Sequence, residues 1–286
     1  MALHLQAKPV AAVLRAQLEK RTQQLQEAGI LPRLAVLLVG DNPASIAYAR
    51  AKERAADRAG ISFRLHAFSA QATEAEILER LDALNRDPAV HGILVEWPLP
   101  KRFDSARILE GIAPHKDVDG IHPVNRGRLF SGQEAFVPAT ALACIALLQH
   151  YQIPISGRHA VVVGRGPTVG RPLLALLLKE NATVTVCHSR SGALARYTRK
   201  AELLFAATGH RHLIGAEMVA PGAVVIDAGL SEAPDGTLAG DVDFASVEPI
   251  AGAITPVPGG VGALTTLLLL QNVIDAAEAT LRDQTS

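Results

Sequence analysis

The chain has 286 residues, 28 Lys and Arg balanced by 28 Asp and Glu, 49% hydrophobic residues and 4% aromatics. It is long enough for about two domains, and its composition is globular rather than disordered. Zero net charge, few aromatics and no apolar run of membrane-span length argue against nucleic acids and membranes as partners.

In chain order, helical periodicity alternates with short unbroken hydrophobic runs. Val10, Val13, Leu14, Leu18 and Leu25 recur at helical spacing. Residues 34–39 read as a strand buried on both faces, closed by Gly40. Asp41-Asn42-Pro43 starts a helix over residues 45–60, residues 61–68 form a strand, and Thr73-Glu74 opens a further helix. Residues 92–95 are a short strand stopped by Pro98 and Pro100. This β-α-β-α-β order predicts parallel strands with right-handed crossovers. A loop-rich stretch over 115–138 precedes a helix at 139–150. The alternation then restarts, with strands at 159–163, 182–187, 202–207 and 223–226, a helix at 168–180, and a last helix over 264–281. The fold class is α/β, in two units that divide near residue 138. Two lone cysteines, Cys144 and Cys187, and an N-terminus without an apolar signal region fit a reducing cytoplasm.

Several segments carry candidate chemistry. The strand ending at Val163 runs into Gly164-Arg165-Gly166-Pro167-Thr168-Val169-Gly170 and then a helix. Glycines let backbone approach a pyrophosphate, and a helix N-terminus offers unpaired N–H groups, although an ordinary tight turn uses the same residues. The next strand ends Cys187-His188-Ser189-Arg190, with no acid for a ribose 2′-hydroxyl. A hydroxyl and a cation there, with Arg165, suit a 2′-phosphate and favour NADP over NAD; the plain alternative is a solvated Arg190. Tyr48 and Lys52 share a helix face, either as a proton-transfer pair or as a half-buried tyrosine beside a snorkelling lysine. Lys116-Asp117-Val118-Asp119-Gly120 offers two carboxylates for a ligand, or simply a turn. No spacing of His, Cys, Asp and Glu suggests a metal site. Residues 255–262 hold two prolines and three glycines, which suits backbone lying close to a ligand, and Val257-Pro258 is a candidate cis bond.

Together these segments resemble the methylene-tetrahydrofolate dehydrogenase/methenyl-tetrahydrofolate cyclohydrolase family over nearly the whole chain. The carriers are Val39-Gly40-Asp41-Asn42-Pro43-Ala44-Ser45, Tyr48-x-x-x-Lys52, Gly92-Ile93-Leu94-Val95 with Pro98-Leu99-Pro100, Lys116 through Gly120, Gly170-Arg171-Pro172, and Ile254 through Gly262. The resemblance implies a folate-binding domain over residues 1–138, with a C-terminal helix (264–286) packing back on it. It implies a Rossmann-type NADP-binding domain over 139–263, with the active site in the cleft between the two. The implied reaction is oxidation of 5,10-methylene-tetrahydrofolate with NADP, then hydrolysis of the methenyl cation to 10-formyl-tetrahydrofolate, by a cytoplasmic homodimer. Carried over residue by residue, Lys52 is the catalytic lysine, Tyr48 packs on the folate, and Asp119 holds the pterin edge. Val95, Glu96, Pro258, Gly259 and Gly260 line the folate side. Thr140, Gly164, Arg165, Gly166, Thr168, Ser189, Arg190, Leu230, Gly262 and Thr265 fall at cofactor positions.

The sequence also departs from the family pattern. Glu96 stands where glutamine is usual. A carboxylate beside Lys52 favours the ammonium and makes it a poorer base, so the expectation is a dehydrogenase whose cyclohydrolase step is weakened. The alternatives are a fully bifunctional enzyme, or a non-catalytic folate- or nucleotide-binding protein on the same scaffold, against which the retention of Tyr48 and Lys52 speaks. His91, Ala139, Ala141, Gly166 and Ala263-Leu264 depart from the family's usual residues as well.

Overall fold

The structure, a computed structural model, describes residues 1–232 and 238–285. In chain order its elements are β1 (Leu3–His4), α1 (Ala7–Glu27), β2 (Arg33–Val39), α2 (Pro43–Arg58), β3 (Ser62–Phe68), α3 (Glu74–Arg86), β4 (Gly92–Val95), α4 (Ser105–Glu110) and α5 (Pro123–Phe130). Then follow α6 (Ala139–His150), β5 (His159–Val163), α7 (Gly170–Lys179), β6 (Thr183–Cys187), α8 (Ala195–Thr198), β7 (Leu203–Ala206) and β8 (Val224–Asp227). The last are β9 (Ser231–Glu232), β10 (Leu238–Ala239), α9 (Phe244–Val247), β11 (Ala253–Ile254) and α10 (Thr265–Thr285). They form two compact units: Val13–Arg128 with Glu134–Val137 and Thr266–Ser286, and Pro138–Thr265 with Met1–Ala12 and Leu129–Gln133. No helix among the described residues is long and apolar enough to cross a membrane.

The first unit is built on a parallel sheet of order β3-β2-β4. β2 is central, and Leu34 through Val39 are all buried, which is why its sequence is continuously apolar. Ala35, Leu37, Ile93 and Val95 pack with Ile77, Leu81 and Ile108 from α3 and α4. α3 starts in a capping box between Thr73 and Glu76. Its C-terminal carbonyls meet the buried Lys116 Nζ, which donates to Leu84 O (3.0 Å) and Asp87 O (2.7 Å). A cation there complements the helix dipole. In α10, Asn272 Nδ2 donates to Val118 O (2.8 Å) and Val137 O (3.1 Å), while Arg21 of α1 pairs with Asp275 and Glu278.

The second unit carries a parallel sheet of order β1-β11-β8-β7-β5-β6. Its first strand corrects the domain boundary expected from the sequence. Leu3 and His4 pair with Ala253 and Ile254, so residues 1–12 belong with Pro138–Thr265 and not with the 13–128 unit. A two-residue strand shows no periodicity to read, and its partner lies at the other end of the chain. α5 corrects the loop expected over 115–138. His122 caps it, with Nδ1 accepting the Val124 N–H (3.0 Å), and Asp117 holds the approach, its carboxylate accepting the N–H groups of Ile121 (3.3 Å) and His122 (2.8 Å).

Candidate active site

Lys52 and Glu96 are brought together in the first unit. Asn42 caps α2 by accepting the N–H groups of Ala44 and Ser45. Ser45 Oγ in turn donates to Trp97 O at 3.2 Å, which ties the start of α2 to the segment leaving β4. Glu96 extends the β4 pairing, with its N–H donating to Leu37 O (2.8 Å). Two turns into α2, Lys52 Nζ donates to both Glu96 oxygens, at 2.6 and 2.8 Å. The Glu96 side chain is 5% exposed and that of Lys52 20%, so the pair is mostly out of water. Tyr48, one turn earlier on α2, is 53% exposed and presents its ring to solvent. Val95 is buried in the core of the sheet. Both Trp97-Pro98 and Val257-Pro258 are cis; the sequence pointed to the second only.

The two carboxylates of the 116–120 segment have different fates. Asp117 is fully buried, accepts Asn125 Nδ2 (2.8 Å) besides the two N–H groups above, and bridges Ile93. It is spent on structure. Asp119 is half-buried, and its carboxyl is pushed up to about 7. Burial is the main cause; the charges of Asp117 and Glu96 add to it, and Lys52 and Arg126 oppose it. Lys52, Glu96 and Asp119 are therefore one electrostatic group. Gly120 (φ +66°) turns the chain after Asp119, where a Cβ would fall 2.6 Å from Phe136 O. His91 is buried and structural, with Nδ1 accepting the Arg33 N–H (3.1 Å), and burial lowers its imidazole.

In the second unit a cavity of about 400 Å³ opens at the carboxyl ends of β5, β6 and β7. Four of the sequence-predicted cofactor residues line it: Gly164, Arg165, Gly166 and Ser189. Gly164 (φ +121°) passes so close to β7 that a Cβ would lie 2.1 Å from Ala207 O, whereas a Cβ on Gly166 would meet nothing within 4 Å. No side chain caps the N-terminus of α7; there the Arg171 N–H donates to Gly166 O (3.1 Å) within the turn, and Pro172 has no N–H. His188 Nδ1 accepts the Arg190 N–H (3.1 Å), so the neutral ring carries its proton on Nε2. Polar Arg165, His188 and Ser189 with apolar Ala207, Leu194 and Leu213 make a lining that fits a base and a phosphorylated ribose. Sequence reading missed Ala207, Thr208 and His210, which follow β7; the Thr208-Gly209 pair after an apolar run was their only signal.

The other predicted cofactor residues lie outside this cavity's lining. Thr168 and Arg190 are exposed, and Leu230 is 49% exposed after β8. Thr140 sits in the first turn of α6, where its carbonyl accepts Cys144 Sγ. Thr265 Oγ1 donates to Gly262 O (3.0 Å) at the start of α10. In the Pro-Gly loop, Pro258 and Gly259 are exposed and Gly260 is buried. Gly259 O accepts the Ala7 N–H (2.8 Å), so this loop belongs to the second unit. Among the described residues, no three His, Cys, Asp or Glu side chains are placed to hold a metal.

Comparison with known proteins assigns both units. Residues 5–119 match the catalytic domain model of tetrahydrofolate dehydrogenase/cyclohydrolase, and residues 138–281 match its NAD(P)-binding domain model. The chain is 50% identical over 276 residues to the bifunctional protein FolD of Pelotomaculum thermopropionicum, covering 96% of this chain and 97% of that one. Among solved structures it is similar to the bifunctional FolD methylenetetrahydrofolate dehydrogenase/cyclohydrolase of Campylobacter jejuni, with TM-score 0.96, 41% identity, and 98% and 100% of the two chains covered. It is also similar to the Trypanosoma brucei enzyme complexed with NADP cofactor and inhibitor, with TM-score 0.93, 34% identity, and 98% and 99% covered.

Proposed function

Because the chain belongs to the tetrahydrofolate dehydrogenase/cyclohydrolase family, we propose that it oxidises 5,10-methylene-tetrahydrofolate with NADP and hydrolyses the methenyl product to 10-formyl-tetrahydrofolate, as a cytoplasmic homodimer. The observation that carries this reading is the Lys52–Glu96–Asp119 group, held in the unit that matches the catalytic domain model. NADP is supported by Arg165 and Ser189 on the cavity and by the NADP complex of the trypanosomal relative.

Each residue has work that follows from its chemistry. Asp119, once ionised, accepts paired N–H bonds from the pterin edge. The exposed Tyr48 ring offers a face for the folate to pack on. Lys52 holds the proton that the hydrolysis must move. In the nucleotide unit, Arg165 and Ser189 hold a 2′-phosphate and the 164–170 turn cradles the pyrophosphate. When bound, the nicotinamide accepts the hydride that leaves the methylene carbon, and the protein supplies binding and alignment.

The Lys52–Glu96 pair favours a second reading, in which the cyclohydrolase step is attenuated. A carboxylate that accepts two hydrogen bonds from the Lys52 ammonium stabilises the charged form, which can give up a proton but cannot accept one. The near-50% identity to proteins named bifunctional supports full activity instead. A paired assay separates them: NADP-dependent oxidation of methylene-tetrahydrofolate, and loss of the methenyl chromophore above its spontaneous rate, each with Glu96→Gln alongside. Brisk chromophore loss in the parent sustains the bifunctional reading and removes the second. Oxidation without it, restored by Glu96→Gln, establishes the second. Inactivity in both arms overturns both.

A further inference from the structure

Two buried carboxylates of the nucleotide unit, Asp227 and Asp241, take no part in the chemistry above. Asp227 ends β8 and accepts the N–H groups of Gly229 (3.0 Å) and Asp241 (3.1 Å) on Oδ1 and of Val242 (2.9 Å) on Oδ2. Asp241 uses Oδ2 alone, for the Thr208 N–H (2.5 Å), the Thr208 hydroxyl (2.9 Å) and the Gly209 N–H (3.2 Å). Among the described residues, its buried Oδ1 has no hydrogen-bond partner. Glycines make the room: a Cβ on Gly229 would fall 2.1 Å from Asp241 Cγ, and one on Gly240 would fall 1.9 Å from Asp227 Oδ2.

A buried carboxylate with one oxygen unsatisfied is costly, and a fold retains it where its bonds hold something in place. Here three of them converge on a single turn, Thr208-Gly209, which leaves β7. Thr208, with Ala207 before it and His210 after it, forms part of the wall of the 400 Å³ cavity. The second carboxylate locks the first: Asp227 takes the Asp241 N–H and, at the same time, the Gly229 N–H of the turn after β8. The loops after β7 and β8 are thus stitched to the 241–242 backbone at the edge of the sheet where Rossmann-type folds bind their ligands. We propose that Asp241 is a positioning residue for the dinucleotide: its Oδ2 holds the Thr208-Gly209 turn in the shape that completes the cofactor cavity. Because Oδ1 receives no donor among the described residues, Asp241→Asn with its amide oxygen at the Oδ2 position keeps all three bonds to the turn, at a cost in stability for a buried amide nitrogen without an acceptor; the acceptor rather than the negative charge is what shapes the turn.

This rests on the NADP reading above, so the test has two readouts. NADPH affinity is measured by fluorescence, and exchange of the Thr208 and Gly209 amides by hydrogen–deuterium exchange, for Asp241→Ala and Asp241→Asn. Asp241→Ala weakens NADPH binding and raises KM for NADP by about tenfold or more, leaves kcat at saturation within about threefold, and speeds exchange at Thr208 and Gly209. Asp241→Asn stays within about threefold of the parent in both readouts. Where Asp241→Ala fails to fold, Thr208→Ala removes only the hydroxyl, which donates to Asp241 and accepts the His210 N–H, and faster exchange at Gly209 with weaker NADPH binding is the expected result. Unchanged binding and exchange in the variant that folds overturns the proposal. So does Asp241→Asn behaving as badly as Asp241→Ala, or kcat falling in step with binding. A parent protein that binds no NADPH overturns the NADP reading itself, and with it the cofactor role; the exchange readout then reports separately on whether Asp241 holds the turn.

Discussion

Glu96 grips the Lys52 ammonium with both carboxylate oxygens, at 2.6 and 2.8 Å, from a backbone position fixed by its own N–H bond to Leu37 O. Removing one partner of such a pair strands the other. Lys52→Met leaves a carboxylate with 5% of its side chain exposed and no cation beside it. Fully buried pairs lose about 3–5 kcal/mol in this way; with Lys52 partly solvated, about 1–3 kcal/mol is expected. Lys52→Met with Glu96→Gln recovers most of that stability, because no charge is left behind. Both variants lose catalysis. Urea unfolding beside the two activity assays checks this, and equal stability of the single and double variants would show that Glu96 does not depend on Lys52.

Asp119 sets a pH dependence. Its carboxyl is raised to about 7, so it is neutral below that pH and ionised above. Paired N–H groups of a pterin edge need the ionised form, so KM for the folate falls as pH rises through about 7. Stability runs the opposite way. The folded state holds this proton more tightly than the unfolded chain does, so the neutral group's contribution is complete below about 4 and is lost as pH rises through about 7. Asp119→Asn therefore raises stability at pH 8 by on the order of 1–3 kcal/mol while folate binding collapses. Because Glu96 is one of the charges that raise Asp119, Glu96→Gln moves the KM profile to lower pH. A pH series of KM for parent and Glu96→Gln tests both statements, and coincident profiles would refute the coupling.

What the sequence made legible depended on range. β2 and α3 announce themselves through continuous apolar residues and through Thr73 with Glu76, and both lie where the pattern puts them. The Lys52–Glu96 contact was foreseeable from the resemblance, since Lys52 falls in a matching motif and Glu96 stands in place of the glutamine usual at the end of another. Residue type and spacing did not tell Asp117 from Asp119; only the resemblance gave the pterin edge to Asp119. The Ile121 and His122 N–H groups and the Asn125 amide engage the first carboxylate and leave the second for a ligand. Lys116 looked like part of the same charged motif, and it serves as a cap for α3 because burial against Leu84 O and Asp87 O selects it. Thr208 and His210 became cavity residues through the pairing of β7 beside β5, a long-range parallel register with no local signature.

Cofactor choice is predicted to turn on Ser189. It lines the cavity after β6 together with Arg165, and the chain has no acid at that strand end. Ser189→Asp puts a carboxylate where a 2′-phosphate would otherwise be held and offers an acceptor to a ribose hydroxyl. KM for NADP rises by at least about tenfold, and the NADP/NAD ratio of kcat/KM falls by more than that, through like-charge repulsion. Parallel kinetics with the two cofactors decide it; an unchanged ratio would place the 2′-phosphate elsewhere.

Gly164 and Gly166 stand two residues apart in one turn and should answer opposite ways to a side chain. At Gly164 the backbone has φ +121°, and a Cβ would lie 2.1 Å from Ala207 O, a backbone atom just past β7 that cannot step aside. Gly164→Ala must push β5 and β7 apart at the mouth of the cavity, and it is expected to cost about 2–4 kcal/mol of stability and to abolish NADPH binding. At Gly166 nothing lies within 4 Å of a Cβ and φ is not in the left-handed region, so Gly166→Ser should fold with stability within about 0.5 kcal/mol of the parent. Its hydroxyl would face the cavity that Gly166 lines, where it adds a donor for a phosphate oxygen, so NADPH binding holds or tightens. Thermal melts and NADPH titrations of the two variants side by side test the shape of the turn. A tolerated Gly164→Ala would mean that β5 and β7 do not approach as closely as the cavity requires, and a damaging Gly166→Ser would mean that the ligand's own atoms fill the space beside that glycine.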